Sequence, residues 1–130
     1  MTQIRFSPAE LKLVRAHDVC RIATVSPSGW PHCVPVGYLY KNGRFYIPAN
    51  KKSKKVRDLR ADSRACIVID DKQENVLMIQ GRVEIVEGRE FLKLKRWMTA
   101  KTGWTLSGAS EGAILVLTPW KKAKWKPLGT

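Results

Sequence analysis

Hydrophobic and polar positions along this chain fall into two periods. Leu11 and Val14 lie three apart and follow Ser7-Pro8-Ala9-Glu10. Ser7 suits the cap, Pro8 the first helical position, and Glu10 completes a capping box. This predicts an amphipathic helix over residues 8–17. Residues 20–25 (CRIATV) then read as a strand, Ser26-Pro27-Ser28-Gly29 as a turn, and Trp30 to Tyr40 as a second strand. The Asn42-Gly43 pair marks a tight hairpin, and Phe45-Tyr46-Ile47 is its returning strand. Val56 and Leu59 give a short helix over residues 54–61. Residues 64–70 and 76–86 are strands around a polar loop, with Gly81 a bulge or point of close approach. Phe91, Leu94 and Met98 give a helix over residues 88–101, ended by Gly103. After a Gly- and Ser-rich loop, Ala113 to Thr118 form the last strand, closed by Pro119.

About six short strands need closure or a second sheet to hide their edges. The expected fold is mainly β, a small barrel with two or three short helices packed on it. The 130 residues suit a single domain over residues 1–130, with its core over about 8–120 and a tail over 121–130. The longest apolar run is five residues, Ala113 to Leu117, too short to span a bilayer. The N-terminal residues lack the apolar centre of a signal peptide. Cys20, Cys33 and Cys66 form no C-x-x-C pair. They read as small buried hydrophobes in a reduced, cytoplasmic protein. His17 and His32 are isolated, so no metal site is expected. Arg21, charged within an apolar strand, needs either a partner or the wet face.

Charge changes this picture. Lys and Arg number 24 against 11 Asp and Glu, a formal net charge of +13. Such an excess favours phosphate, nucleic acid or an anionic cofactor as partner. It is concentrated. Residues 51–60 hold six basic side chains and one acidic, Asp58. The tail holds Lys121, Lys122, Lys124 and Lys126. Ser53 is a plausible N-cap for the helix starting at Lys54. Cations beside a helix N-terminus are unfavourable there, by ~0.3–1 kcal/mol each. An anion at that terminus, held by free N–H groups, Ser53 and lysine, resolves the conflict. A solvated basic loop is the alternative. Trp97 reads as core, and Trp120 and Trp125 as packing or interface residues. Ser53 and Ser107 have no nucleophile context.

The order of short motifs carries more than any one of them. Ala23-Thr24-Val25, Gly29-Trp30-Pro31, Phe45-Tyr46, Ser53-Lys54-Lys55, Leu59, Asp62-Ser63-Arg64 and the strand from Val76 to Glu84 follow one another. This succession resembles the pyridoxamine 5′-phosphate oxidase-like family of FMN-binding split barrels, over about residues 8–120. The resemblance implies a six-stranded antiparallel split β-barrel. It also implies a homodimer with FMN, or alternatively a deazaflavin, in clefts between subunits. Ser53, Lys54 and Lys55 are then the phosphate residues. Val34, Pro35, Val36, Gly37 and Tyr38, with Ile47 and Pro48, lie against the ring, and Asn75 reaches it from the partner. His32 or Tyr38 lines the substrate side, and Trp104 covers the ring. Val34 stands where the oxidases often have Arg, and their C-terminal substrate-binding segment has no counterpart. A general flavin-dependent oxidoreductase acting by hydride transfer at N5 on a small molecule is therefore the expected class. A basic nucleic-acid-binding barrel and a non-catalytic flavin carrier are the alternatives.

Overall fold

The computed structural model describes residues 4–72, 75–106, 108 and 110–126. Its elements are α1 (Pro8–Ala16), β1 (Val19–Val25), β2 (Pro31–Gly37), β3 (Leu39–Lys41), β4 (Arg44–Asn50), α2 (Lys54–Ala61), β5 (Arg64–Asp71), β6 (Asn75–Val86), α3 (Gly88–Thr102) and β7 (Gly112–Trp125). The strands form one antiparallel sheet in the order β2-β1-β5-β6-β7-β4-β3. β2 and β3 are its two edges, yet Tyr38 alone separates them in sequence. The sheet must therefore curl until its edges meet, and β2 does lie against β4 across the opening. The result is a curled half-barrel with three helices, a split β-barrel.

Tyr38 explains why the run from Trp30 to Tyr40 is two strands. Its ring is buried beside Phe45, its hydroxyl donates to the Val14 carbonyl at 2.6 Å, and its amide donates to the Asp18 carbonyl. The backbone leaves β1 after Gly37 and joins β4 at Leu39. One inward-turned side chain thus changes the chain's pairing partner. The Asn42-Gly43 turn forms as the sequence implies, with φ of 50° and 83°.

Alternation along the strands fills the barrel. Ile22, Ile67, Ile79, Leu77, Ile69, Phe45, Ile47, Leu115 and Leu117 point inward and are fully buried. Leu13 and Val14 of α1 close one end, and Val56 and Leu59 of α2 close the other. The face α1 presents is Leu13, Val14 and Glu10, whereas Leu11 is only half-buried. Outside the barrel, Phe91 and Met98 of α3 cover Ile114 and Val116. The apolar run 113–117 is thus buried on both faces, which is why it does not alternate.

β7 does not stop at Pro119. It continues to Trp125, paired with β6 as far as Val76. A bulge between Gln80 and Gly81 absorbs the proline, which has no N–H to give to a ladder. A Cβ on Gly81 would lie 2.3 Å from the Thr118 carbonyl oxygen, so only glycine fits there. The basic tail therefore begins as sheet. Only one cysteine behaves as expected. Cys20 is buried and its thiol pushed up to about 12, chiefly by burial. Cys33 is exposed and Cys66 half-buried, because both lie on the outward face, paired on either side of Ala23. Arg21 shares that face and bonds Asp70 at 2.9 Å. Trp97 is half-buried rather than core, edge-on to Tyr46 with the Lys41 ammonium over its ring. Among the described residues no helix is long and apolar enough to cross a membrane.

Candidate functional site

The loop from β4 into α2 is tightly made. The Lys52 amide donates to the Asn50 side chain at 2.8 Å, and the Ser53 amide to the Asn50 carbonyl at 3.0 Å. Ser53 takes the extended backbone of an N-cap, with φ −67° and ψ 158°, but its side chain makes no capping bond. Its Oγ is buried and without a partner among the described residues. The first turn of α2 holds no acidic residue. The leading N–H groups of a helix have no partner within it, and here the residue types supply none either. Lys55, beside them, is half-buried. Burial lowers its pKa, and it forms no ion pair among the described residues. A buried hydroxyl, amide groups with no side-chain cap among the described residues and a partly desolvated cation have the chemistry to hold an anion.

Lys54 is differently placed. Its ammonium donates to Asp58 Oδ1 at 3.1 Å and to Ser26 Oγ at 3.3 Å. Asp58 is 2% exposed, and its other oxygen accepts from Thr24 Oγ1 at 2.9 Å. Burial alone would raise the Asp58 carboxyl. The bonds from Thr24 and Lys54, with the charges of Lys54 and His32, outweigh it and hold the group below its ordinary value. Ser26 in turn meets Ser28 at 3.1 Å. His32 lies opposite Thr24 in the ladder, and its Nδ1 is buried without a partner among the described residues. This cluster ties the first turn of α2 to β1 and to the β1–β2 turn. Nothing in the sequence pattern marks Asp58 as buried or pairs it with Thr24. The i,i+4 spacing of Lys54 and Asp58 is the one signal available.

The other expected site residues divide by face. Val34, Val36 and Ile47 point inward to the barrel core, as does Tyr38. What they present outward is backbone. Pro35 and Pro48 lie on the opposite face of their strands. Gly37 is covered by Trp104, whose ring would come within 3.1 Å of a Cβ there. β2 and β4 meet along the seam of the barrel, and α2 follows β4 in the chain. Asn75 is at the other end, where its amide groups donate to Asp71. Within this chain it does not join the rest. Ser107 lies outside the described residues.

A family model described as pyridoxamine 5′-phosphate oxidase matches residues 6–124. The chain belongs to the pyridoxamine 5′-phosphate oxidase family. Solved structures agree on the fold of this family member. A pyridoxamine 5′-phosphate oxidase-related FMN-binding protein from Nostoc punctiforme is 13% identical. It has a TM-score of 0.72, over 97% of this chain and 88% of that one. An F420 reductase is 18% identical with a TM-score of 0.67, over 82% and 89%. A haem storage protein from Vibrio cholerae is 15% identical with a TM-score of 0.75, over 95% of each. No curated protein matches the chain by sequence. At such identities the likeness speaks for the fold alone, and the site must speak for the ligand.

Proposed function

We propose that this family member is a flavoprotein that binds FMN and transfers hydride between the flavin N5 and a small molecule. The observation that carries the reading is the start of α2. A phosphomonoester there would supply the acceptor that Ser53 Oγ and the leading amide groups lack among the described residues, and the counter-charge that Lys55 lacks among them. Lysine charge at the seat comes from Lys55, with Lys54 beside it in the same turn but bonded to Asp58. The strand from Val34 to Gly37, with Tyr38, and the Ile47-Pro48 segment offer backbone groups and two proline faces to a ring along the seam. FMN, once bound, supplies the redox chemistry. The protein holds its phosphate and fixes its orientation.

The same reading takes a homodimer with one cofactor in each cleft between protomers. Its support is the outward sheet face and its rim, where Val19, Val25, Trp120 and Trp125 are exposed. Asn75 of one protomer then faces the ring held by the other. Trp104, seated on Gly37, stands at the edge of that cleft. A cytoplasmic setting suits three free thiols.

The test is a titration of the purified protein with FMN, read by quenching of flavin fluorescence, beside F420 and haemin. Saturable binding of FMN, weakened in Lys55→Ala, is expected. The reading fails if FMN does not bind while haemin does. It fails equally if the protein ignores every flavin and binds single-stranded DNA with a steep salt dependence.

A further inference from the structure

Residues 54 and 55 look interchangeable in sequence, two lysines side by side at a helix start. Their surroundings are opposite. Lys54 is neutralised by a carboxylate that is 2% exposed, and the Ser26 hydroxyl oxygen accepts a second hydrogen bond from its ammonium. Lys55 has no carboxylate at all among the described residues. Asp58 cannot turn away from Lys54 freely, because Thr24 Oγ1 fixes its other oxygen. The bonds from Thr24 and Lys54 also hold its carboxyl below the ordinary value despite burial.

We propose that Asp58 is a positioning residue that holds Lys54 back from the anion seat, leaving Lys55 and Ser53 as its side-chain ligands. This rests on the phosphate reading of the α2 start. Lys54 then serves as a strut between α2 and the β1–β2 turn. Asp58 also sets a limit on affinity, since it places a fixed negative charge one helical turn below the seat. Retaining it keeps the loop rigid and weakens the hold on phosphate. The groups that face this carboxylate are Thr24 from β1, Lys54 from α2 and His32 from β2.

The consequence has an unusual sign. Asp58→Asn keeps the shape and an acceptor for Thr24 but releases Lys54. It should melt at a lower temperature and yet bind FMN more tightly, by roughly two- to fivefold, the size of one additional partly exposed ion pair. Lys54→Met alone strands a buried carboxylate and is open to misfolding, so the cycle is completed with Lys54→Met/Asp58→Asn. That double variant should bind FMN within about twofold of the wild type, because neither lost group touches the phosphate. Lys55→Met should lose about tenfold or more. Inorganic phosphate, read by the shift in melting temperature, should rank the variants in the same order.

The proposal is overturned if Asp58→Asn binds FMN no better than the wild type. It is also overturned if the double variant loses as much affinity as Lys55→Met, which would make Lys54 a ligand. These outcomes differ from failure of the phosphate reading itself, in which the wild-type protein binds neither FMN nor phosphate.

Discussion

The barrel has two ends, and each is closed by a helix with serine at its N-cap. At the α1 end the helix satisfies itself. Ser7 Oγ accepts from the Glu10 amide at 3.1 Å, and Glu10 Oε1 accepts from the Ser7 amide at 2.8 Å. Lys122 then closes on the same carboxylate oxygen and donates to the Arg5 carbonyl at 2.7 Å, with its ammonium over the Phe6 ring. At the α2 end the position equivalent to Glu10 is Val56, which is committed to the core. No carboxylate reaches back, and Ser53 caps nothing. One helix start carries its own anion, and the other, on the function proposed above, receives one from the cofactor. The two basic patches of the sequence differ in the same way. One lysine of the tail is spent on structure, whereas Lys55 forms no ion pair among the described residues.

The sharpest way to break this comparison is to remove one lysine from each end. Lys55→Ala should cost FMN binding about 1.5–3 kcal/mol, the worth of a hydrogen bond to a charged group, and leave the melting temperature of the free protein little changed. Lys122→Met should do the reverse. It leaves Glu10, 6% exposed, with only the Ser7 amide. A loss of about 1–2 kcal/mol in urea unfolding is expected, with FMN affinity unaltered. Equal effects on binding would mean that diffuse charge, not a built seat, attracts the cofactor.

A smaller contrast lies in the caps. Ser7→Ala removes a made bond and should cost about 1 kcal/mol. Ser53→Ala removes a hydroxyl that bonds nothing among the described residues, so the free protein should be as stable or slightly more so. With saturating FMN the order should change, since Ser53→Ala now loses a ligand contact. Melting curves of both variants, with and without FMN, give all four values. A Ser53→Ala protein destabilised without ligand would show that α2 is capped after all.

How far these ends were legible beforehand follows from what each depends on. The helix over residues 8–17, the hairpin at Asn42-Gly43, the break at Gly103 and the bulge at Gly81 all rest on local chemistry. Each stands within a residue or two of its expected place. The division at Tyr38 and the extension of β7 past Pro119 do not. They depend on the ring meeting Phe45 and Val14, and on a register shift against the facing strand, where Gln80 and Gly81 lie opposite Lys121 and Pro119. No window on one segment contains those partners. The same holds for the site. Ser53 and the basic run declare themselves by type and spacing. The split between Lys54 and Lys55 is set by Asp58 being buried against Thr24, 34 residues away in sequence. Cys33 and Cys66 were misjudged because composition says what a residue prefers, not which face of a strand it falls on.

The smallest effect separates charge from packing at the α1 end. Burial alone would raise the Glu10 carboxyl above its model-compound value of 4.5. The bonds from Lys122 and Ser7, and the Lys122 charge, bring it below that value. A carboxylate whose pKa is depressed on folding contributes stability that is complete above its unfolded value. That stability is lost as pH falls through the folded one. In Lys122→Met the lowering influence of the ammonium is gone while burial remains, so the stabilising contribution is lost and what penalty burial leaves on the carboxylate fades as the group takes up its proton. The gap in melting temperature between wild type and Lys122→Met should therefore be constant from neutrality down to about pH 5 and shrink below it, as Glu10 takes up its proton. Other carboxylates titrate in both proteins and cancel in the difference. A gap that persists undiminished at about pH 2 would show that Lys122 stabilises α1 through the Arg5 carbonyl and the Phe6 ring rather than through charge. The α1 end would then be closed by packing, and its resemblance to an occupied anion seat would be one of residue type alone.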